Sequence, residues 1–207
     1  MSRDWENWDV SGIASEIQTI WLSSDEENAH REQLADLVCG RIPASDPSIL
    51  EVGCGTGLVY EKLAAKHKLI TNYIGIDSSL KMLEIARRNF PRGQFLYGDG
   101  YELVFRDQEF DAVLSFEVLG HIPRIKPFLS EMLRVAKKTC IFTTWPSDSS
   151  DVVEDYETID GTRFLYRRYS ESYIQKLIYI AGRQKLDDIE LIPLNSGGQA
   201  YVVTLHP

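Results

Sequence analysis

The N-terminal part of the chain places apolar and polar side chains at helical spacing. Within residues 11–22 and again within residues 26–40, apolar side chains recur every three or four positions, beginning with Ile13 and Ile17. That spacing predicts two helices. Asp25 precedes the second helix and is its predicted N-cap, because an Asp side chain accepts hydrogen bonds from the free N–H groups of a first helical turn.

From residue 48 onward, short apolar runs alternate with further helical repeats. Strands are predicted over residues 48–52, 73–76, 94–97, 110–116 and 140–145, and helices over residues 58–66, 79–89, 126–136 and 170–181. Strands that alternate with helices imply a parallel sheet with helices on both faces. Two final strands, 188–194 and 200–206, flank a turn short enough for a hairpin and should be antiparallel.

These elements predict an α/β fold with a doubly wound, Rossmann-like seven-stranded sheet. The sheet is expected to be mostly parallel with an antiparallel C-terminal hairpin, and residues 1–45 are expected to form an N-terminal helical cap. The 207 residues suit one domain, residues 1–207.

Composition restricts the partners of the protein. The chain has 22 basic and 31 acidic residues, a net charge of −9. Such a chain is a poor partner for nucleic acid, because neutralising phosphates requires clustered Lys and Arg. Its longest apolar runs fall far short of a membrane span. We expect neither a nucleic-acid nor a membrane partner, and the oligomeric state stays open.

Cysteine usage and the first residues indicate the compartment. Cys39, Cys54 and Cys140 are odd in number and widely separated, with no CxxC pair. This arrangement favours reduced thiols over a disulfide framework or a zinc site, so no metal is expected. The first residues lack the apolar core of a secretory signal. The predicted compartment is the cytoplasm.

Candidate chemistry begins at the turn after the first strand, where residues 51–57 read Glu-Val-Gly-Cys-Gly-Thr-Gly. Glycine is needed where the backbone takes a positive φ or lies directly against a ligand. The next helix offers free N–H groups to an anion. No GK[ST] follows, which disfavours a Walker site, and the GxGxG spacing differs from the GxGxxG of dinucleotide folds. A tight turn without function is the alternative.

Two aspartates close the next two strands. Asp77 follows Gly57 by 20 residues, and Asp99 lies between two glycines. In a doubly wound sheet, Asp77 should lie beside the glycine turn, where it can accept hydrogen bonds from two ribose hydroxyls. Its structural alternative is a helix N-cap. Asp99 can accept a hydrogen bond from an exocyclic amine such as adenine N6, or it is an ordinary turn residue.

Three successive strand ends carrying GxGxG, Asp and Asp resemble the class I S-adenosylmethionine (SAM)-dependent methyltransferases. Residues 49–57 are similar to the first motif of that family and residues 75–83 to its second. Residues 110–122 resemble the fourth-strand motif of the branch that mostly modifies small molecules, and residues 129–135 resemble the helix after it. The likeness spans residues 48–145. Residues 136–140 depart from the family, which usually has a Pro-Gly or Gly-Gly turn there.

The resemblance implies SAM as the cofactor and a role for each matching residue. Glu51 and the backbone at Gly53, Cys54 and Gly55 would hold the methionine part. Asp77 would bind the ribose, with Ser78 and Met82 beside the adenine. Asp99 and Gly100 would address the adenine amine. Phe116 would approach the methionine part near the sulfonium, although core packing is an equal alternative for Met82 and Phe116. The implied cofactor-binding set is Glu51, Gly53, Cys54, Gly55, Asp77, Ser78, Met82, Asp99, Gly100 and Phe116.

Methyl transfer to oxygen or nitrogen of a small-molecule acceptor benefits from a general base, and His is the usual choice near neutral pH. His121 is the candidate because it follows the fourth strand. A loop cap or a cofactor contact is its alternative. His30, His67 and His206 are expected at the surface. Arg31 is a further candidate, for the SAM carboxylate.

Two segments are candidate covers for the acceptor. Residues 146–169 are predicted to be a long loop over the active site, in which Tyr156 and Tyr166 are candidate substrate contacts. A solvated loop is the structural alternative. The N-terminal helices, with Trp5, Trp8 and Trp21, are the second candidate.

Other functions compete with this interpretation. A methyltransferase acting on a protein, or a SAM-binding regulatory subunit without catalysis, would carry the same cofactor motifs. Adenine DNA methylases and glutamine N-methylases would show [ND]PP[YF] after the fourth strand, where this chain has Ser-Phe-Glu-Val at residues 115–118. A nicotinamide dehydrogenase is disfavoured by the glycine spacing.

Overall fold

A computed structural model of the chain describes residues 4–10, 12–42, 46–66, 72–182 and 185–206. Its α-helices are α1 (Ile13–Ser23), α2 (Asp25–Arg41), α3 (Leu58–Lys66), α4 (Leu80–Asn89), α5 (Ile125–Val135) and α6 (Glu171–Gly182), and short 3-10 helices span Asp4–Asp9 and Leu119–His121. The strands are β1 (Ile49–Val52), β2 (Tyr73–Asp77), β3 (Gln94–Tyr97), β4 (Phe110–Ser115), β5 (Ala136–Pro146), β6 (Val152–Ile159), β7 (Thr162–Tyr169), β8 (Leu186–Pro193) and β9 (Gln199–Leu205). Within these ranges no helix has both the length and the apolarity that crossing a bilayer requires.

The sheet has the predicted doubly wound order. Five parallel strands lie in the order β3-β2-β1-β4-β5. β9 is antiparallel to β5, and β8 is antiparallel to β9, so the predicted seven-stranded core is confirmed. The strand order reverses between β1 and β4. In such sheets the ligand crevice lies beyond the carboxyl ends of the strands at this reversal.

Helices bury an apolar layer on each face of the sheet. Residues of α5 and α6 pack against one face together with Leu50 and Val113. Residues of α2, α3 and α4 pack against the other face together with Ile49 and Leu114. The two faces alternate along each strand because successive side chains point in opposite directions. Glu51 therefore points to the face covered by α2, α3 and α4.

The N-terminal helices pack near the carboxyl ends of the strands. Ile13 and Ile17 of α1 are buried with Met82 of α4 and Phe164 of β7. The N-cap of α2 is Ser24, whose Oγ accepts the N–H of Glu27 at 3.2 Å. The prediction that Asp25 caps this helix is therefore wrong by one residue.

Residues 146–169 form a β-hairpin instead of the predicted loop. β6 and β7 are antiparallel from the pair Val152 and Tyr169 to the pair Ile159 and Thr162. β7 also joins the end of β5 at Trp145 and Pro146, so the hairpin extends the sheet beyond its seven-stranded core. Most side chains of β6 are exposed. Its sequence therefore lacks the apolar alternation that identifies a half-buried strand.

Candidate active site

A cavity of about 440 Å³ lies at the carboxyl ends of β1, β2 and β4. All the residues for which the sequence predicts a cofactor contact line it: Glu51, Gly53, Cys54, Gly55, Asp77, Ser78, Met82, Asp99, Gly100 and Phe116. His121 and Tyr166 line the same cavity. The parallel sheet brings these residues together because the carboxyl ends of its strands share one edge.

The turn after β1 requires glycine for two reasons. Gly53, Gly55 and Gly57 have φ angles of 79°, 51° and 82°, in the left-handed region that side chains disfavour. Space is also limiting, since a Cβ on Gly53 would lie 2.3 Å from Cγ2 of Val118. The bare backbone of this turn faces the cavity, where a ligand can lie directly against it.

Asp77 fixes the conformation of the glycine turn. One carboxylate oxygen accepts the N–H of Gly55 at 2.8 Å, and the other accepts the N–H of Ser79 at 2.8 Å. Burial raises the pKa of Asp77, and the backbone N–H groups of Ser79, Gly55 and Ser78 oppose this rise. Each oxygen retains a further lone pair, so the same carboxylate can accept hydroxyl donors from the cavity. The N-cap of α4 is Ser79, whose Oγ accepts the N–H of Met82.

Glu51 is a deeply buried carboxyl group at the end of β1. Its side chain is 2% exposed and accepts a hydrogen bond from the hydroxyl of Tyr73. Burial raises the pKa of Glu51 to about 8, although the Tyr73 hydroxyl opposes this rise. The group is therefore mostly protonated at neutral pH while the cavity holds no cation.

The third strand end supplies Asp99 and Gly100. Asp99 accepts the N–H of Tyr101 at 2.8 Å, which closes a tight turn beside the cavity. A Cβ on Gly100 would lie 2.2 Å from the ring of Phe128, so a side chain does not fit there. Met82 is 2% exposed and packs with α1 while lining the cavity. Core packing and cavity lining are thus compatible at Met82.

His121 has a defined tautomer. Its Nδ1 lies 2.8 Å from the carbonyl oxygen of Leu165. A carbonyl only accepts, so the neutral ring carries its proton on Nδ1 and leaves the Nε2 lone pair free to accept a proton. Burial lowers the pKa of His121, while Glu117 and Glu157 oppose the shift. The ring is therefore neutral near pH 7.

Comparison with known proteins supports the predicted family. A family model described as a methyltransferase domain matches residues 50–144, the span that holds the glycine turn, Asp77 and Asp99. The matched span is therefore similar to a methyltransferase domain, as the resemblance to the class I SAM-dependent methyltransferases predicts. Enzymes of this family use SAM as the methyl donor.

Individual relatives are methyltransferases as well. The fatty-acid O-methyltransferase of Mycolicibacterium smegmatis is 35% identical over 116 residues, which are 55% of this chain and 42% of that protein. The demethylmenaquinone methyltransferase of Thermotoga maritima is 33% identical over 119 residues, 56% of this chain and 49% of that protein. These alignments span less than half the length of either relative.

A solved methyltransferase shares the fold over almost the whole chain. The magnesium protoporphyrin IX methyltransferase of Synechocystis PCC 6803, with bound S-adenosylhomocysteine (SAH), matches with a TM-score of 0.69. The match covers 99% of this chain and 98% of that chain at 16% identity. At this identity the likeness establishes the methyltransferase fold.

The two tyrosines predicted as substrate contacts lie on opposite faces of the β6–β7 hairpin. Tyr166 pairs with Asp155, whereas Tyr156 pairs with Leu165, and adjacent pairs alternate between faces. Tyr166 lines the cavity of the methyltransferase domain, but the structure does not bring Tyr156 to it. The hydroxyl of Tyr156 donates to Glu154 at 3.1 Å, on the other face.

A buried group that the sequence did not indicate also lines the cavity. His30 is 6% exposed, and its Nε2 lies 3.1 Å from Oε1 of Glu117, so the expectation of a surface position is wrong. Thr143 donates its hydroxyl to the same oxygen at 3.1 Å and accepts the N–H of Glu117 at 2.8 Å. Glu117 has a φ of 60°, which is uncommon for a residue with a side chain.

Of the other residues that the sequence analysis named, some line the cavity and some do not. Arg31 is buried and lines the cavity, with hydrogen bonds to the carbonyl of Trp21 at 3.2 Å and to Glu27 at 3.0 Å. Trp8 and Trp21 also line the cavity, and His206 is exposed, as predicted. The side chain of Trp5, and His67, lie outside the described residues.

Proposed function

We propose that this chain transfers a methyl group from SAM to an oxygen or nitrogen atom of a small-molecule acceptor. One observation carries the proposal: the complete set of residues implied by the family motifs lines a single cavity at the carboxyl edge of the sheet. The bare glycine backbone and two carboxylates at adjacent strand ends offer complementary partners to an adenosyl group.

Cofactor binding is proposed in three parts. Glu51 and the backbone of Gly53, Cys54 and Gly55 hold the methionine part, whose ammonium group favours the ionised form of Glu51. Asp77 accepts the ribose hydroxyls. Ser78 and Met82 flank the adenine, Asp99 and Gly100 address its amine, and Phe116 lies near the sulfonium. Support comes from the position of every member on the cavity wall.

The transfer itself is an in-line displacement. A lone pair of the acceptor attacks the methyl carbon, the carbon–sulfur bond breaks, and the electron pair stays on sulfur to give SAH. The protein therefore mainly orients the acceptor and excludes water. We assign to Nε2 of His121 the proton that the acceptor loses, because this nitrogen carries the free lone pair of the neutral ring.

The N-terminal helices and the β6–β7 hairpin are proposed to cover the acceptor. They meet in one apolar cluster that contains Ile17, Phe164 and the partly buried Trp8. Trp8 and Trp21 from the N-terminal side and Tyr166 from the hairpin line the cavity. A single domain, residues 1–207, is proposed to contain both covers and the cofactor site.

A small acceptor is supported by the size of the cavity and by the names of the relatives. The relatives are named for fatty-acid and demethylmenaquinone methylation. The cavity of about 440 Å³ must hold the cofactor as well as the acceptor, which leaves limited room for a bulky group.

Two experiments test the proposal in sequence. Calorimetry against SAM, SAH and NAD should give binding of the first two only. A radiolabelled methyl-transfer screen over metabolite pools, with SAM as donor, should then label a small molecule. Binding of NAD in place of SAM would refute the proposal. SAM binding with transfer only to protein, or with no transfer, would instead favour a protein methyltransferase or a regulatory subunit.

A further inference from the structure

Aromatic rings surround His121 in the cavity wall, and we call this part of the cavity the acceptor end. The ring of His121 lies 5.1 Å from that of Trp8, 6.2 Å from that of Trp145 and 6.1 Å from that of Tyr166, between centroids. Trp145 and Tyr166 are 5.3 Å apart. We call Trp8, Trp145 and Tyr166 the aromatic wall. Rings of this kind bind apolar groups and, through their faces, cations.

Two carboxylates lie at the same end. Glu117 and Glu157 both line the cavity, and both influence the pKa of His121 and of Tyr166, which places their charges near the aromatic wall. Among the described residues that line the cavity, Arg31 is the one Lys or Arg, and its guanidinium is hydrogen-bonded to Glu27. Outside the lining, the exposed Arg168 acts on Tyr166 with the opposite sign, so two carboxylates stand against one guanidinium and the balance at the acceptor end is negative.

Glu117 is held in position rather than neutralised. Thr143 and His30 both contact its Oε1 at 3.1 Å. The charge of Arg31 also acts on Glu117, but the guanidinium forms its hydrogen bond with Glu27. With Nε2–H of His30 directed at Glu117, the ring leaves Nδ1 as an acceptor. That atom is buried, and within the described ranges it has no hydrogen-bond partner. A ligand that brings positive charge and N–H donors into the cavity would complement the carboxylate of Glu117.

We propose that the acceptor carries a basic amine, bound as its ammonium form by Glu117 and Glu157 against the aromatic wall. Carboxylic acids of similar size are repelled by the same two charges. This inference rests on the proposed function and names its acceptor class. It concerns the anchoring group, and the methylated atom remains the oxygen or nitrogen described above.

The test uses the full chain saturated with SAH and three probes of similar size. Calorimetry compares phenethylamine, 2-phenylethanol and phenylacetate, which carry a positive, a neutral and a negative group. We expect the amine to bind at least about tenfold more tightly than the acid, with the alcohol between them, since tenfold corresponds to about 1.4 kcal/mol. Equal affinities, tighter binding of the acid, or no amine binding at millimolar concentration would overturn the inference.

Substitutions that remove one negative charge test which carboxylates cause the preference for the amine. Glu157→Gln changes an exposed side chain and should reduce the preference for the amine at least about threefold. Glu117→Gln should do the same, and the double variant should remove the preference. Glu84→Gln, on the exposed side of α4 and outside the cavity lining, is the matched control and should keep it. A preference that survives the double variant contradicts the assignment.

SAH affinity distinguishes a wrong acceptor class from a wrong proposed function. If wild-type protein binds SAH but shows no amine preference, the acceptor class is wrong and the methyltransferase function stands. If the protein does not bind SAH at all, the proposed function itself fails.

Discussion

Binding of the cofactor should release a proton from Glu51. In the cofactor-free protein, burial raises the pKa of this carboxyl to about 8. The ammonium group of the methionine part would favour the charged form and lower the pKa again. Protonated Glu51 would then ionise as SAH binds, and the buffer would take up the proton.

The magnitude follows from the pKa. A group with a pKa of about 8 is roughly nine-tenths protonated at pH 7 and roughly one-tenth protonated at pH 9, so release should fall from about 0.9 to about 0.1 proton per SAH. The same shift affects stability. Because the folded pKa lies above the usual 4.5, the stability that Glu51 contributes is present below pH 4.5 and is lost as the pH rises through about 8.

Calorimetry in two buffers of different ionisation enthalpy, phosphate and Tris, measures the released proton. Glu51→Gln should abolish the release at pH 7. Tyr73→Phe removes a hydrogen bond that lowers the pKa of Glu51, so release should persist and shift to higher pH. Any proton that the amine of SAH exchanges is common to all variants, so the difference between variants reports Glu51. Equal release by wild type and Glu51→Gln would refute the reasoning.

Three further variants test the site. Asp77→Ala should weaken SAH binding at least about tenfold, because a hydrogen bond to a charged group contributes about 1.5–3 kcal/mol, and unchanged affinity in the folded variant would remove the ribose role. Gly53→Ala should abolish SAH binding, because the new Cβ would lie 2.3 Å from the side chain of Val118. Gly161→Ala is the control, since Gly161 also has a positive φ but has open space around it. This control should keep its SAH affinity and lose only about 1–2 kcal/mol of stability, measured by urea denaturation. His121→Gln should lower turnover about 100-fold with SAH affinity kept. Because burial lowers the pKa of His121, wild-type turnover should persist to a lower pH than an ordinary histidine base would allow. Normal turnover of the variant on the true acceptor would exclude the base role.

The order of helices and strands could be predicted because each depends on local spacing. β3 and α3 have the predicted bounds, and β1, β2 and β4 differ from prediction by one residue. The position of the cofactor half of the site followed from the same elements, since parallel strands bring their carboxyl ends to one edge. Gly53 and Asp77 were predicted in this way, and both line the cavity, while their role in cofactor binding stays a prediction. The single-domain boundaries and the cytoplasmic location stay predictions.

The acceptor half could not be predicted, because its residues meet through tertiary packing. His30 and Glu117 are 87 residues apart in the chain and 3.1 Å apart in the fold. The apolar spacing of α2 marks Leu34 and Val38 as buried, but it gives no sign that the polar His30 and Arg31 are buried as well. The sequence of the β6–β7 hairpin also does not show which of its faces points to the cavity. Only the register of the two strands reveals that Tyr166 faces the cavity and Tyr156 does not.

The amino-acid sequence by itself determined the family fold and the strand ends at which SAM binding is proposed, because glycine at positive φ and carboxylates after strands are local requirements. Tertiary structure alone decided the charge and aromatic lining of the acceptor end. Those properties depend on how α2 and the β6–β7 hairpin pack over the sheet, and packing is set by contacts between residues that are distant in the chain.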